Sequence, residues 1–180
     1  MFSRKNAILV LVDIQERLLP QIHDSAQLLK NALIMVESCK ILNIPVLATE
    51  QYPEGIGPTV AALKPALAGQ HAPIGKRTFS CCRERQFMQA LKESGKKQVI
   101  VAGIETHVCV FQTTADLIRE GYAVEIISDA VGSRAAANKS IGLARMKAGG
   151  ADIGSLESCL FELLETSACP EFKQVLRLIK

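Results

Sequence analysis

A thiol, a carboxylate and an ammonium group each follow an apolar segment of this sequence. Cys109 comes soon after VIVAGI and stands close to Glu105 and His107, Asp13 follows ILVLV, and Lys76 ends the stretch APIGK. A thiolate is a strong nucleophile, a carboxylate can take and return its proton, and a neighbouring cation can stabilise the charge. The three residue types predict nucleophilic catalysis if the fold brings them together.

Each of these residues also has a simpler interpretation. Asp13 alone is equally typical of the N-cap of a helix beginning near Ile14, and Lys76 alone is typical of a solvated loop lysine. Adjacent Cys81 and Cys82 lack the C-x-x-C spacing of a redox motif and are interpreted as structural. The same structural interpretation applies to the cysteines in apolar helical segments, which are Cys39, Cys159 and Cys169. The functional interpretation depends on where the elements place the groups.

The elements alternate between buried strands and helices. Runs rich in Val and Ile at 7–12, 45–49, 98–102 and 123–128 show the continuous hydrophobicity of strands buried on both faces, and weaker strands are predicted at 72–76 and 151–153. Helical periods separate them at 25–42, 83–93, 108–121 and 139–147. This alternation predicts an α/β fold in which residues 1–180 form a single domain, a three-layer α/β/α sandwich around a parallel, roughly six-stranded sheet.

Ligands of open parallel sheets bind beyond the carboxyl ends of the strands. Those ends carry Asp13, the segment 50–52, Lys76 and the segment 105–109. Cys109 is predicted in the first turn of the helix that follows, with Val108, Phe111, Ala115 and Ile118 as the apolar stripe of that helix. A helix N-terminus and a nearby lysine both favour an anion, so a thiolate is expected at Cys109.

Composition argues against several classes of protein. The net charge of +3 is spread over short alternations of sign, only 4% of residues are aromatic and Trp is absent, so no nucleic-acid partner is expected. The longest apolar run, 7–12, is far too short to span a bilayer, and no signal peptide is recognised, so we expect a cytoplasmic protein without a membrane partner. Its six cysteines are then expected to be free thiols.

Four motifs in order along the chain resemble those of the isochorismatase-like cysteine hydrolases. They are LVDIQ at 11–15, GKRTFS at 75–80, AGIETHVCV at 102–110 and SDAVGSR at 128–134. The segment EQYPEGIGPTV at 50–60 is most similar to small isochorismatase-domain proteins of unassigned substrate. The resemblance covers nearly the whole chain, and it implies a parallel six-stranded sheet.

The resemblance also implies a site. It maps a catalytic triad onto Asp13, Lys76 and Cys109, places a non-proline cis peptide bond between Ile104 and Glu105, and forms an oxyanion hole from the backbone N–H groups of Glu105 and Cys109. Family nicotinamidases bind a metal through an Asp and two His near the end of the second strand. This chain has EQYPEGIG there, and only His71 further on, so no metal and no cofactor are expected.

The remaining pocket residues are assigned from their positions. Gln51 and Tyr52 follow the second strand and are predicted to line a substrate pocket. Many family members have Asp where His107 stands, so His107 either marks a subgroup that uses it in the pocket or packs beside the site.

The leading hypothesis is a cysteine hydrolase that cleaves a C–N bond of a small molecule through a thioester. Isochorismatases that act on an enol ether lack the cysteine, so Cys109 argues against that reaction. Two alternatives stay open: hydrolysis of an ester or carbamoyl compound by the same triad, and a catalytically silent interaction protein. The family resemblance implies a homo-oligomer, and the apolar C-terminal segment 161–180 either is buried between subunits or covers its own sheet.

Overall fold

The computed structural model describes residues 1–180 and contains one sheet of six parallel strands. Along the sheet the order is β3-β2-β1-β4-β5-β6, so β1 and β4 are neighbours at the point where the order reverses. The strands are β1 (Ala7–Val12), β2 (Val46–Gln51), β3 (Ile74–Lys76), β4 (Gln98–Ile104), β5 (Ala123–Gly132) and β6 (Asp152–Gly154). In such a sheet the crevice at the reversal is the expected place for a ligand.

The fold has seven α-helices, and all but the shortest pack on the two faces of the sheet. The helices are α1 (Ser25–Ile41), α2 (Pro53–Ile56), α3 (Arg85–Glu93), α4 (Phe111–Arg119), α5 (Ala136–Ala148), α6 (Leu156–Leu164) and α7 (Phe172–Ile179). Residues of α1, α6 and α7 share one apolar cluster, and residues of α3, α4 and α5 share the other. The predicted α/β sandwich of three layers is confirmed. None of the helices is long and apolar enough to cross a membrane.

The central strands explain how one sheet supports two cores. Every residue of β1 is buried, and successive side chains alternate between the clusters: Leu9 and Leu11 lie in one, and Val10 and Val12 in the other. Because side chains alternate across a strand, both faces of β1 must be apolar. This is the physical origin of the unbroken apolar run at 7–12.

The structure decides one open alternative, at Asp13, and shows how the helix after β4 is buried. Asp13 caps no helix, because α1 begins only at Ser25 after a loop and a short 3₁₀ turn, Leu19–Gln21. The apolar stripe of the helix after β4 is only half-buried, whereas Thr113, Thr114 and Leu117 of α4 are buried. The Thr113 hydroxyl has a partner there, because its Oγ1 accepts a hydrogen bond from the Cys81 N–H, whereas Thr114 Oγ1 has none.

The C-terminal segment covers its own sheet. Leu160 and Leu163 of α6 and Val175 of α7 are buried in the same cluster as α1. Phe161 is the large apolar residue that this packing leaves exposed. Of the two uses considered for residues 161–180, the structure shows the intramolecular one.

Candidate active site

Asp13 lies immediately beyond β1 with no exposed surface. Its backbone has a φ of 52°, a left-handed conformation that Asp tolerates better than most residues, and its N–H donates to the Thr49 carbonyl. Both carboxylate oxygens have a donor: Thr49 Oγ1 lies 2.8 Å from Oδ1, and Lys76 Nζ lies 2.7 Å from Oδ2. The buried charge is therefore paired and hydrogen-bonded.

Lys76, the last residue of the short edge strand β3, supplies the opposite charge. Its Nζ also donates to Gln51 Oε1 at 2.6 Å and to the carbonyls of Thr78 and Phe79 at 3.2 and 3.1 Å. Burial alone would lower the pKa of Lys76, but the negative charge of Asp13 raises it, and the net pKa lies above the ordinary value. Lys76 is therefore a fully satisfied ammonium ion at neutral pH.

Cys109 lies in a π-helical turn, Thr106–Val110, that follows β4 and runs directly into α4. The residue is 5% exposed, and its Sγ lies 3.9 Å from Gln51 Oε1. Burial raises the pKa of the Cys109 thiol, the negative charge of Asp13 raises it further, and Lys76 only partly opposes them. The expected resting thiolate is therefore wrong. Cys109 rests as a neutral thiol next to a potential base.

The backbone between β4 and Cys109 contains the cis peptide bond that the resemblance implied. The peptide bond between Ile104 and Glu105 is cis. The Glu105 N–H donates to no acceptor in the protein, while the Glu105 carboxylate accepts hydrogen bonds from the N–H and Nε of Arg134 at 2.9 and 3.1 Å. The backbone donor of Glu105 is thus available to a ligand, and its side chain is engaged elsewhere.

The three predicted pocket residues have different surroundings. Gln51 lies within the charged cluster, where its Oε1 accepts from Lys76 and its Nε2 donates to the Arg77 carbonyl. Tyr52 is 40% exposed, and the Arg77 guanidinium lies 4.0 Å from the centre of its ring. His107 is half-buried, with Nδ1 3.0 Å from Ser133 Oγ near the end of β5. The structure joins Gln51 to Lys76 and Cys109, whereas Tyr52 and His107 have their contacts with Arg77 and Ser133.

Sequence reasoning missed two residues that shape this cluster, Thr49 and Gln15. The Gln15 side chain makes two hydrogen bonds with the Gln51 backbone: Nε2 donates to the carbonyl at 2.9 Å, and Oε1 accepts from the N–H at 2.7 Å. The sequence signal for these residues was polar side chains within apolar segments. Thr49 and Gln51, two residues apart, lie on the same face of β2, and Gln15 follows Asp13 by two residues.

No group of three or more His, Cys, Asp or Glu side chains is arranged to hold a metal ion. At the end of β2, Glu50 Oε1 accepts hydrogen bonds from the N–H and Oγ1 of Thr59, both at 2.7 Å. This carboxylate is therefore used to hold the loop after α2. All six cysteines are free thiols.

Comparison with known proteins gives a consistent assignment. Residues 7–158 match the isochorismatase domain. The isochorismatase domain-containing protein 2 of Danio rerio is 36% identical over 178 residues, which cover 98% of this chain and 88% of that protein.

Three solved structures share the fold. The MAR1 ribonuclease of Caenorhabditis elegans is 35% identical with a TM-score of 0.94, and the match covers 99% of this chain and 91% of that one. YcaC from Pseudomonas aeruginosa, solved with hexane-2,5-diol and covalent acrylamide, is 28% identical with a TM-score of 0.91 and coverage of 97% and 89%. YcaC from Escherichia coli, described as an octameric hydrolase of unknown specificity, is 25% identical with a TM-score of 0.88 and coverage of 98% and 94%. On the domain match and the 36% identity over almost its full length, the chain belongs to the isochorismatase family.

Proposed function

We propose that this protein is a cysteine hydrolase that cleaves the C–N bond of a small amide-type substrate through a thioester. The observation that carries the proposal is the buried Asp13–Lys76 ion pair, joined through Gln51 to a thiol that keeps a small exposed surface. Buried charges are costly, and a cluster of them beside a nucleophile in a crevice is typical of an active site. The domain match with a family that includes an octameric hydrolase points the same way.

The reaction begins with a proton transfer, because the resting thiol is neutral. Asp13 takes the proton of Cys109 as Sγ attacks the carbonyl carbon, and the N–H groups of Glu105 and Cys109 stabilise the oxyanion. Asp13 then gives the proton to the leaving amine. Water, deprotonated by the same carboxylate, hydrolyses the thioester, and the thiol is restored. The overall change is amide plus water to acid plus amine.

Lys76 has two roles in this scheme. It holds Asp13 through the 2.7 Å contact with Oδ2, and its charge favours the thiolate that forms during attack. Gln51 joins the lysine to the thiol region through one amide oxygen. The small exposure of Cys109 favours a small substrate, or the narrow end of a larger one.

A relative adds chemical support. YcaC from Pseudomonas aeruginosa was solved with covalent acrylamide, an unsaturated amide that reacts readily with thiols. An analogous adduct at Cys109 is expected here. The tryptic peptide 98–119 contains Cys109 and no other cysteine, so mass spectrometry of that peptide assigns the adduct.

The test is amide hydrolysis by the purified protein and two variants. We expect ammonia release from a panel of small primary amides by the wild type and by Cys169→Ala, whose thiol lies near Arg4, and none by Cys109→Ala. An acyl group trapped on peptide 98–119 identifies the thioester. Hydrolysis by Cys109→Ala rejects the nucleophile, whereas no turnover and no acyl adduct with any amide, ester or carbamoyl compound favours the silent interaction protein.

The name of the Caenorhabditis elegans relative indicates RNA as a second candidate substrate. We rank it below small amides because Cys109 is nearly enclosed and only 4% of the residues are aromatic, which leaves little surface for stacking bases. Incubation with RNA decides between them. Cleavage by the wild type that is lost in Cys109→Ala and in Asp13→Asn supports RNA, and cleavage retained in both variants identifies a contaminating nuclease.

We also propose a homo-oligomer. The Escherichia coli relative is octameric, and the half-exposed stripe formed by Phe111, Ala115 and Ile118 lines a groove of about 480 Å³ between α4 and α5. Light scattering should report a mass above 19.5 kDa, and Ile118→Glu should lower it, whereas Phe161→Glu on the opposite face serves as the control. A monomer at micromolar concentration contradicts this proposal.

A further inference from the structure

Thr49 lies in β2 directly beside the Asp13 carboxylate. It is buried, and its Oγ1 donates to Asp13 Oδ1 at 2.8 Å while Lys76 donates to Oδ2 at 2.7 Å. The backbone adds a third link, because the Asp13 N–H donates to the Thr49 carbonyl at 3.1 Å. Asp13 is therefore held between one neutral donor and one charged donor from two neighbouring strands.

Thr49 also contacts Cys81, and the number of available protons decides which of the two residues is the donor. Cys81 Sγ lies 3.6 Å from Thr49 Oγ1, and either atom could donate on geometry alone. A hydroxyl has one proton, and that of Thr49 is directed to Asp13, so the Cys81 thiol must be the donor. Cys81 is fully buried, and burial raises its pKa to about 11, so the thiol keeps its proton at neutral pH.

Cys81 is itself held in place. Its backbone N–H donates to Thr113 Oγ1 of α4 at 3.0 Å. A chain of donors thus runs from the Cys81 thiol to the Thr49 hydroxyl and on to Asp13 Oδ1. Because Cys81 has no exposed surface, it cannot reach a substrate, and its contact with Thr49 is its direct link to Asp13.

The donors and acceptors in the hydrogen bonds that link Cys81, Thr49 and Asp13 can exchange their roles. When Asp13 carries a proton on Oδ1, it can donate to Thr49 Oγ1, and the Thr49 hydroxyl can turn to the Cys81 sulfur, a weak acceptor. The same three atoms then satisfy both protonation states of Asp13. A proton carrier needs this property in every turnover, and a valine of the same shape would lack it.

We propose that Thr49, backed by Cys81, is a positioning residue that sets the pH range over which Asp13 exchanges a proton with Cys109. The inference rests on the proposed role of Asp13 as proton carrier. A purely structural threonine would make a different prediction: its replacement would change the stability of the fold and leave the pH dependence of the site unchanged.

The experiment follows the alkylation of Cys109 by iodoacetamide against pH, read on the tryptic peptide 98–119. The wild type, Thr49→Val and Thr49→Ser are compared, each also in an Asp13→Asn background. Removing a donor from an ionised carboxylate disfavours the charged form. We therefore expect Thr49→Val to move the acidic limb of the profile upward by about one pH unit. Thr49→Ser, which keeps the hydroxyl, should follow the wild type, and neither change should matter once Asp13 is Asn.

Two outcomes overturn the inference. One is a Thr49→Val profile that superimposes on the wild type, and the other is a shift that persists in the Asp13→Asn background. If Thr49→Val does not fold, Cys81→Ala decides, with a smaller upward shift expected for Cys81→Ala and none for Cys81→Ser. A failure of the proposed function gives a different result from a failure of this inference. Amide hydrolysis by Cys109→Ala would reject the proposed function, and it would not change the alkylation profiles of the Thr49 variants.

Discussion

Asp13 and Lys76 form an ion pair whose side chains have no exposed surface. Such a pair is weak evidence for stability as a whole, since moving both charges out of water costs about as much as their attraction returns. Removing one partner is different, because the other is left charged and unpaired inside the protein. The two residues should therefore be strongly coupled.

We predict that Lys76→Met and Asp13→Asn each lower the free energy of unfolding by about 3–5 kcal/mol, and that the double variant costs clearly less than their sum. Urea denaturation of the four proteins gives the coupling. Arg77→Met, which removes an exposed pair with Glu54, should change little. Additive effects of the two buried changes would contradict the prediction. Because the folded-state pKa of Lys76 is raised, its contribution is complete at neutral pH and is lost only at strongly alkaline pH.

The residues of the candidate site could be predicted from the sequence, but the protonation state of Cys109 could not. The strand-end positions of Asp13, Lys76 and Cys109 follow from apolar runs, and the structure brings the three together. A helix start and a lysine favour a thiolate, but burial outweighs both at Cys109. Burial depends on how loops close over the site, and no local pattern in the sequence reports it. The catalytic roles of the three residues stay predictions.

At the scale of elements, strand and helix alternation was predicted correctly because buried parallel strands have a distinct apolar pattern. The apolar stripe of α4 was identified from the sequence, but its degree of burial was not. Its apolar stripe at Phe111, Ala115 and Ile118 is only partly buried, whereas two threonines and Leu117 are fully buried, and of the threonines only Thr113 has a hydrogen-bond partner at its hydroxyl. A hydrophobic period identifies a helix, but it does not say whether the stripe meets the sheet or another surface.

The π-helical turn that carries Cys109 rests directly on α5. A Cβ at Gly142 would lie 3.0 Å from the Thr106 carbonyl carbon and oxygen and 3.1 Å from His107 Cα. Backbone on one side and helix on the other leave little room for adjustment. Gly142 therefore allows the close approach that positions the nucleophile.

We predict that Gly142→Ala slows the alkylation and turnover of Cys109 about tenfold, because displacement of a nucleophile by a fraction of an ångström is costly. Alanine is the better helix former by about 1 kcal/mol, so stability should fall little or even rise. Ser140→Ala, an exposed change on the same helix, is the control. A stabilised variant with unchanged Cys109 reactivity would contradict the prediction.

At the scale of the whole molecule, the fold buries one carboxylate far from Cys109. Glu125 lies near the start of β5, it is 5% exposed, and its Oε2 has no hydrogen-bond partner. Burial raises its pKa. The folded state therefore binds this proton more tightly than the unfolded chain, and stability falls as the pH rises from the ordinary glutamate value through the raised one.

We predict that Glu125→Gln removes this loss and increases the free energy of unfolding at neutral pH. At a pH below the ordinary glutamate value the two proteins should be equally stable. Urea denaturation at acidic and neutral pH measures the difference, with exposed Glu120→Gln as the control. A variant that is less stable than wild type at neutral pH would show that the ionised carboxylate has a stabilising partner.

The side-chain amide of Gln15 makes the hydrogen bonds to the end of β2 that a neighbouring strand would otherwise make. β1 ends at Val12, so on that side the backbone of Gln51 has no neighbour except the Gln15 amide, which both donates to it and accepts from it. Replacing this amide removes both contacts, while the pairing of β1 with β2 up to Thr49 does not depend on it. Amide hydrogen exchange should therefore be fast at Gln51 in Gln15→Leu and unchanged in the centre of β4. Fast exchange would show that one side chain, and not the sheet, protects the end of β2 beside Lys76, and equal protection of Gln51 in wild type and variant would contradict this.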